Sequence, residues 1–235
     1  MSIKKYKKLG RLYDGPYLNK VRIKQMDVVV LGASGTIGKA IVQEALKRKH
    51  EVTAAVRNPE TFALEHERLH ITTVDVLDSA SVAAAVSGHE EVISAYGPAL
   101  GQEKDLITAA KAIVAGMQEA GLNRLLVVGG AGSLKTETGE LLMNTANFPA
   151  EIRPLAEAHA EAYEIYKNTE LDYTYASPAA VVQSGRRTGQ FRIGLDRLVL
   201  DENGESMISV EDLAVAMVDE LEEGNFSRAR FTVAY

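Results

Sequence analysis

The segment Gly32-Ala33-Ser34-Gly35-Thr36-Ile37-Gly38 follows a short β-branched run, Asp27–Leu31, and opens a stretch from about Ile37 to Lys47 with helically spaced apolar residues. Strand, glycine turn and helix in that order leave few architectures open. Glycine suits such a turn because the backbone there needs unusual dihedrals and must approach a pyrophosphate closely, and the last glycine lets helix and strand touch. Amides at the helix start, with the Ser34 and Thr36 hydroxyls beside them, form a site for phosphates. In this context the spacing points to dinucleotide binding, with Gly32, Ser34, Gly35, Thr36, Ile37 and Gly38 as candidate contacts.

The alternation then repeats. Glu51–Val56 and Ile71–Val76 read as strands, Ser79–Val86 as a helix, Glu91–Tyr96 as a strand, Asp105–Ala120 as a long amphipathic helix and Arg124–Val128 as a buried strand. Strands alternating with helices favour a parallel sheet covered on both faces, because parallel strands need crossover helices. The expected fold is α/β, a Rossmann-like doubly wound parallel sheet. After Gly130 the rhythm changes: a helix near Leu155–Lys167, then Tyr173–Ala176, Gly189–Ile193 and Arg197–Leu200, a turn at Asn203–Gly204, a helix Val210–Glu222 and a final strand Arg230–Ala234. Ser209 is placed to cap that last helix, with Glu211 and Asp212 in its first turn. This half is expected to form a small C-terminal substrate-side lobe on the same body.

Charge divides the chain at about residue 25. The first 25 residues hold eight bases and one acid, +7; the rest hold 18 bases and 31 acids, −13. No apolar core of a secretory signal follows the leading lysines. Two readings of the basic extension stay open: an arm for an anionic surface or nucleic acid, or, the favoured one, an extension that packs on or merely precedes a body that runs from 26 to 235. Nucleic acid is not expected as a partner. No apolar run approaches the ~20 residues of a membrane-spanning helix, and the chain contains no cysteine, which removes disulfides, thiolate metal sites and cysteine nucleophiles together. A cytoplasmic protein acting on a small molecule, without membrane partners, is expected.

The choice of nicotinamide cofactor is read at the end of the second strand, where an acid accepts from ribose hydroxyls and a cation suits a 2′-phosphate. Thr53–Arg57 contains no acid and ends in Arg57-Asn58-Pro59. A guanidinium holds phosphate bidentately, so NADP(H) is favoured over NAD(H). Asp75, in Val74-Asp75-Val76, has two open readings: acceptor for the adenine amine, or cap of its own loop.

With these segments the sequence resembles the atypical short-chain dehydrogenases with a NmrA-like or biliverdin-reductase-B-like body, particularly bacterial proteins labelled NADH-flavin reductases. The resemblance spans about 26–235 and rests on the glycine loop, Val56–Pro59, Val74–Val76, Ser94–Pro98, Val128–Leu134, Leu171–Ala180, Gly189–Gly194, Ile208–Ala214 and Arg230–Tyr235. It implies a dinucleotide over the strand ends, with Val76, Ala95, Tyr96, Gly97 and Pro178 among its neighbours and Ser133 near the reactive face of the nicotinamide, where Ser133 has two open readings: a catalytic residue that orients the acceptor or the carboxamide, or a small polar cap of the next segment. Where the biliverdin-reductase-B relatives carry a histidine just after the proline, this chain has Ala179 and Ala180.

Tyr163 and Lys167 have the Tyr-x-x-x-Lys spacing with which many short-chain dehydrogenases lower a phenol pKa. Tyr163 precedes Pro178 by only 15 residues, which puts the pair about three helical turns late. The matching positions fall near Glu151 and Leu155, so Tyr163 and Lys167 read as the polar edge of an ordinary helix. The histidines suggest no metal site: His66 and His70 lack a third ligand, and His159 has two readings, an edge of the cleft or, the favoured one, a solvated surface residue. Glu90-Glu91 and Glu222-Glu223 read as solvated ends of elements. A site without an acid suits a flavin, whose ring spreads the incoming charge, better than a ketone, whose alkoxide must be protonated. The sequence thus predicts an NAD(P)H-dependent oxidoreductase passing hydride from NADPH to a flavin or similar planar acceptor. The alternative is a non-catalytic regulatory protein that senses the dinucleotide.

Overall fold

In the computed structural model, which describes residues 25–235, ten strands and five α-helices follow one another as β1 (Asp27–Leu31), α1 (Thr36–Lys47), β2 (Glu51–Val56), β3 (Leu69–Thr73), α2 (Ser79–Val86), β4 (Glu91–Ser94), α3 (Asp105–Glu119), β5 (Arg124–Val128), α4 (Arg153–Lys167), β6 (Asp172–Pro178), β7 (Val181–Gln183), β8 (Arg192–Gly194), β9 (Met207–Ser209), α5 (Val210–Glu223) and β10 (Ala229–Ala234). The basic extension lies, all but Gln25, outside the described residues.

The main sheet has the order β3-β2-β1-β4-β5-β6-β10-β8, parallel throughout except where β8 pairs antiparallel with β10. Alternation along each strand divides the core. Val28 and Val30 face a layer shared with α1 and α5. Val29 and Leu31 face the layer of α2, α3 and α4. The strand order reverses between β1, whose neighbours are β2 and β4, and the crevice that this reversal opens above the strand ends is where ligands bind in such sheets.

Close helix packing is written in small residues. A Cβ on Gly116 of α3 would stand 2.7 Å from the Ser79 carbonyl oxygen, so only glycine lets α3 lie this near α2. On the opposite face, α1 and α5 are tied by Arg48, which donates to Glu44, Asp219 and Glu222, while Arg187 reaches back to Glu44. Glu222 also meets His50 at 3.0 Å. It is therefore an interfacial ion-pair partner and not the solvated end its sequence position suggests.

Several boundaries differ from expectation. The third strand runs over Leu69–Thr73 instead of Ile71–Val76, because it pairs with β2 from Val52↔Leu69 to Val56↔Thr73 and stops with its partner. Val74 and Val76 are nevertheless buried, as loop residues packed on the core. The fourth strand ends at Ser94, not Tyr96, where the chain lifts over Gly32. Arg197–Leu200 forms no strand and makes only a bridge from Arg197 to Lys135. Two three-residue strands, β7 and β9, went unseen in the sequence; they pair with each other in a separate small sheet. The expected lobe is thus confined to that pair and nearby loops, since β6, β8, β10 and α5 join the main body. Ser209 caps α5 as expected, its hydroxyl accepting from the Asp212 amide at 3.0 Å.

Candidate functional site

The glycine loop leaves β1 with Gly32 in the left-handed region, φ +75°. A Cβ there would lie 2.8 Å from the Tyr96 Cα, so the turn is pressed against the segment that follows β4. A Cβ on Gly38 would stand 2.2 Å from the Gly32 carbonyl oxygen; the helix can start this close to the turn only without a side chain. Gly35 has more space, 3.4 Å to that same oxygen, and serves as the N-cap of α1 with no side-chain cap and no acid in the first turn. Ser34, Gly35 and Thr36 are exposed, whereas Ile37 turns inward and packs on the core. An open, uncapped helix start with no acid in its first turn is what a pyrophosphate requires. The cradle fits a dinucleotide.

Around that cradle the strand ends bring distant residues together. Ala95 and Tyr96 are half-buried and Gly97 is exposed. Burial first, and then the charges of Asp105 and Asp75, raise the Tyr96 pKa, against the opposing effect of Arg57. Tyr96, Arg57 and Asp75 therefore share one electrostatic neighbourhood above β2, β3 and β4. Arg57 is exposed and makes no hydrogen bond or ion pair with another described residue. Asp75 uses one carboxylate oxygen to accept from the Leu77 amide at 3.0 Å, while its own amide donates to Ser81. That is the loop-capping role, and it leaves the second oxygen available. Val76 and Pro178 are buried, so they shape the floor instead of presenting polar groups.

The other side of the crevice is built over β5, β6 and β10. Gly129 and Gly130 extend β5, and a Cβ on Gly129 would overlap the Tyr175 ring at 2.1 Å. Tyr175 in turn donates from its hydroxyl to the His159 carbonyl at 3.0 Å. Ser133 sits beyond this turn, on a loop held close to α4 through Gly132, whose Cβ would meet the Ala156 Cβ at 2.6 Å. The Ser133 hydroxyl accepts from Arg230 at 3.0 Å, and Arg230 is anchored to Asp196 at 2.7 Å. Arg230 is buried, and its guanidinium lies 4.8 Å above the Tyr163 ring. Among the sequence candidates none pointed to Arg230 as the residue that holds Ser133; they are 97 positions apart.

Tyr163 and Lys167 are not brought to the cradle. α4 starts at the strand-end edge and runs back toward the beginning of β6, so each turn carries the pair farther from the crevice. Tyr163 packs against Tyr175 with centroids 4.7 Å apart, and Lys167 pairs with Glu164 in solvent. Glu151 is exposed ahead of the helix, and Leu155 lies in its first turn.

His159 overturns its expectation as a solvated residue. Its ring lies beneath Gly130, within 3.0 Å of where a Cβ would stand, and desolvation pushes its pKa down to about 4. The signal was present in the helical phase: Ala156, Ala162 and Tyr166 form the buried face of α4, and His159 falls in their row. His66 and His70 do not share a helix; His66 lies in a turn, where it accepts from the Arg68 amide, and His70 lies in edge strand β3. Among the described residues no group of three potential ligands could hold a metal ion, and no helix is long and apolar enough to cross a membrane.

The NAD(P)H-binding family matches residues 32–224. An uncharacterized protein of Bacillus subtilis, YwnB, is 38% identical over 212 residues, covering 88% of this chain and 98% of its own. A Bacteroides thetaiotaomicron structure provisionally described as an epimerase is 42% identical, with a TM-score of 0.84 and coverage of 90% of this chain and 98% of that one. A Streptococcus pneumoniae structure provisionally described as an NADH-flavin reductase is 34% identical, with a TM-score of 0.79 and coverage of 89% and 99%.

Proposed function

The chain belongs to the NAD(P)H-binding family, within the atypical short-chain dehydrogenase group of Rossmann-like proteins, and on that premise we propose that it is an oxidoreductase passing hydride from NADPH to a flavin or similar planar acceptor. One observation carries the choice of acceptor: among the described residues the crevice beside the glycine cradle holds no tyrosine–lysine pair, Tyr163 and Lys167 being turned away along α4. A ketone reductase or an epimerase working through an alkoxide needs such an acid, whereas a flavin takes hydride at a ring nitrogen and delocalises the charge.

Bound reduced nicotinamide supplies the hydride. The chain's part is to hold and orient. Amides of the Ser34–Ile37 turn and helix start neutralise the pyrophosphate. Arg57, without an ion pair among the described residues and exposed at the β2 end, selects a 2′-phosphate. Tyr96 and Gly97 border the ribose on the β4 side. Ser133 accepts from Arg230, which leaves its own proton free to donate to the acceptor. Placement of two planar rings against each other is enough to account for a large share of the rate.

The test is acceptor-dependent oxidation of NADPH, followed by absorbance with FMN, riboflavin and quinones in turn. Turnover with a planar acceptor and none with simple ketones is the expected result. Tight NADPH binding with no turnover on any acceptor would replace the enzyme with a dinucleotide-sensing regulatory protein.

A further inference from the structure

His159 is a polar side chain in the crevice whose bonding capacity is unspent. It sits in the second turn of α4, with its ring under Gly130 at the end of β5. It also lines a small cavity of about 10 Å³ between α3, α4 and the sheet, shared with Ser94 and Tyr96 at the end of β4 and otherwise with mostly apolar side chains such as Leu106 and Ile113, room for about one water. Neither ring nitrogen bonds to another described residue; the hydrogen bond from Tyr175 goes to the His159 backbone carbonyl. That bond and the close fit of Tyr175 under Gly129 fix the helix turn that carries the ring.

A neutral imidazole offers one donor and one acceptor on opposite sides of the ring. His159 is only partly buried and its nitrogens are not sealed from the surface, so they are open to a ligand, and a burial-driven role alone would be met by leucine or phenylalanine on this face. The ring lies between the ends of β4 and β5, beside the segment Ala95–Gly97 and across from the glycine cradle at the end of β1. A ligand whose pyrophosphate rests on the cradle extends in one direction toward Arg57 at the end of β2 and in the other toward this ring. The group that arrives there is a sugar with vicinal hydroxyls, each able to donate and accept.

We propose that His159 is a binding residue for the nicotinamide half of the dinucleotide, holding a hydroxyl of its ribose through the imidazole. This rests on the dinucleotide assignment above and adds a residue on the side opposite Arg57. The adenine half is then gripped by the glycine loop and Arg57, and the reacting half is held in position from α4.

The experiment compares two ligands on the full chain: NADPH, followed by nicotinamide fluorescence, and 2′-phospho-ADP, which lacks the nicotinamide riboside, followed by calorimetry. His159→Phe is expected to weaken NADPH about tenfold or more, the size of one lost hydrogen bond in a desolvated site. Its affinity for 2′-phospho-ADP should be unchanged, which also shows that the variant is folded. His159→Gln, whose amide keeps a donor and an acceptor, should recover most of the NADPH affinity. Equal NADPH affinity in His159→Phe and the parent overturns the proposal, as does equal weakening of both ligands. Unchanged NADPH affinity with an altered KM for the acceptor overturns it too, in favour of a contact to the acceptor. A parent chain that binds neither ligand overturns the dinucleotide assignment itself, and this proposal falls with it.

Discussion

The two sides of the crevice are made of different materials. On the β1–β4 side the site is mostly backbone: a left-handed Gly32, a Gly38 with no room for a side chain, and an uncapped helix start. On the β5–β10 side it is mostly side chains drawn from far apart, with Ser133 held by Arg230, Arg230 by Asp196, and His159 placed by Tyr175 and Gly130. A backbone site tolerates almost no added atom but few of its side chains matter. A side-chain site tolerates small changes in volume and depends on each hydrogen bond. The difference implies that substitutions on the two sides fail in different ways.

The largest effect is expected at Gly38. Gly38→Ala forces a Cβ against the Gly32 carbonyl oxygen, where relief requires moving backbone, so a loss of about 3 kcal/mol in stability is expected, near the top of the overpacking range. Denaturant unfolding and NADPH titration should both register it, with binding lost by at least ~100-fold as the turn opens. A variant as stable as the parent would show that the turn is not packed as tightly as the structure has it.

Next comes the pH response of the other side. His159 is held neutral in the folded chain, with its pKa pushed to about 4 by desolvation, against ~6.5 in an unfolded chain. Between these values the unfolded chain binds the proton more readily, so stability is complete above about pH 6.5 and falls as the pH drops toward 4. The loss is up to roughly 3 kcal/mol at about 1.4 kcal/mol per unit of pKa difference. Unfolding midpoints measured from pH 7 to 4 should decline, and His159→Gln should flatten that part of the slope. A slope unchanged by the substitution would mean that carboxylates alone produce it.

Smaller effects separate specificity from chemistry. Arg57→Ala should weaken NADPH by about 30-fold while leaving NADH nearly unaltered, matching ~2 kcal/mol for a charge-assisted contact to an exposed phosphate. Equal loss for both cofactors would remove the 2′-phosphate role. Ser133→Ala is expected to cost the least, about 1 kcal/mol or fivefold in kcat/KM for the acceptor, with dinucleotide affinity unchanged. If it weakens NADPH binding instead, the hydroxyl belongs to the cofactor side and the division drawn between the two regions moves.

The β1–β4 side was almost fully legible in the sequence because everything that builds it is local. Seven residues, Gly32–Gly38, contain the turn, the close approach and the helix start, and Asp27–Leu31, Glu51–Val56, Ser79–Val86 and Arg124–Val128 were bounded correctly from periodicity alone. Errors began where a partner sets the limits. The third strand was shifted because β2, not its own apolar pattern, decides where it ends. β7 and β9 are three residues long, too short for a period to show, and each exists only by pairing with the other. The solvated reading of His159 fails because a histidine between Glu157 and Glu161 looks like part of their polar face until the phase of Ala156, Ala162 and Tyr166 is used to place it.

By itself the sequence determined the doubly wound sheet, the dinucleotide cradle and the absence of a tyrosine–lysine pair at the right spacing, since each follows from periodicity, from glycine's missing Cβ or from helical rise. Tertiary structure alone decided that Arg230 buttresses Ser133, that Arg48 and Arg187 join α1 to α5 and the loop before β8, and that the His159 ring lies under Gly130. These contacts join residues between about thirty and 174 positions apart. No short-range pattern encodes them, because packing of a closed core selects which distant side chains meet and how far each is withdrawn from water.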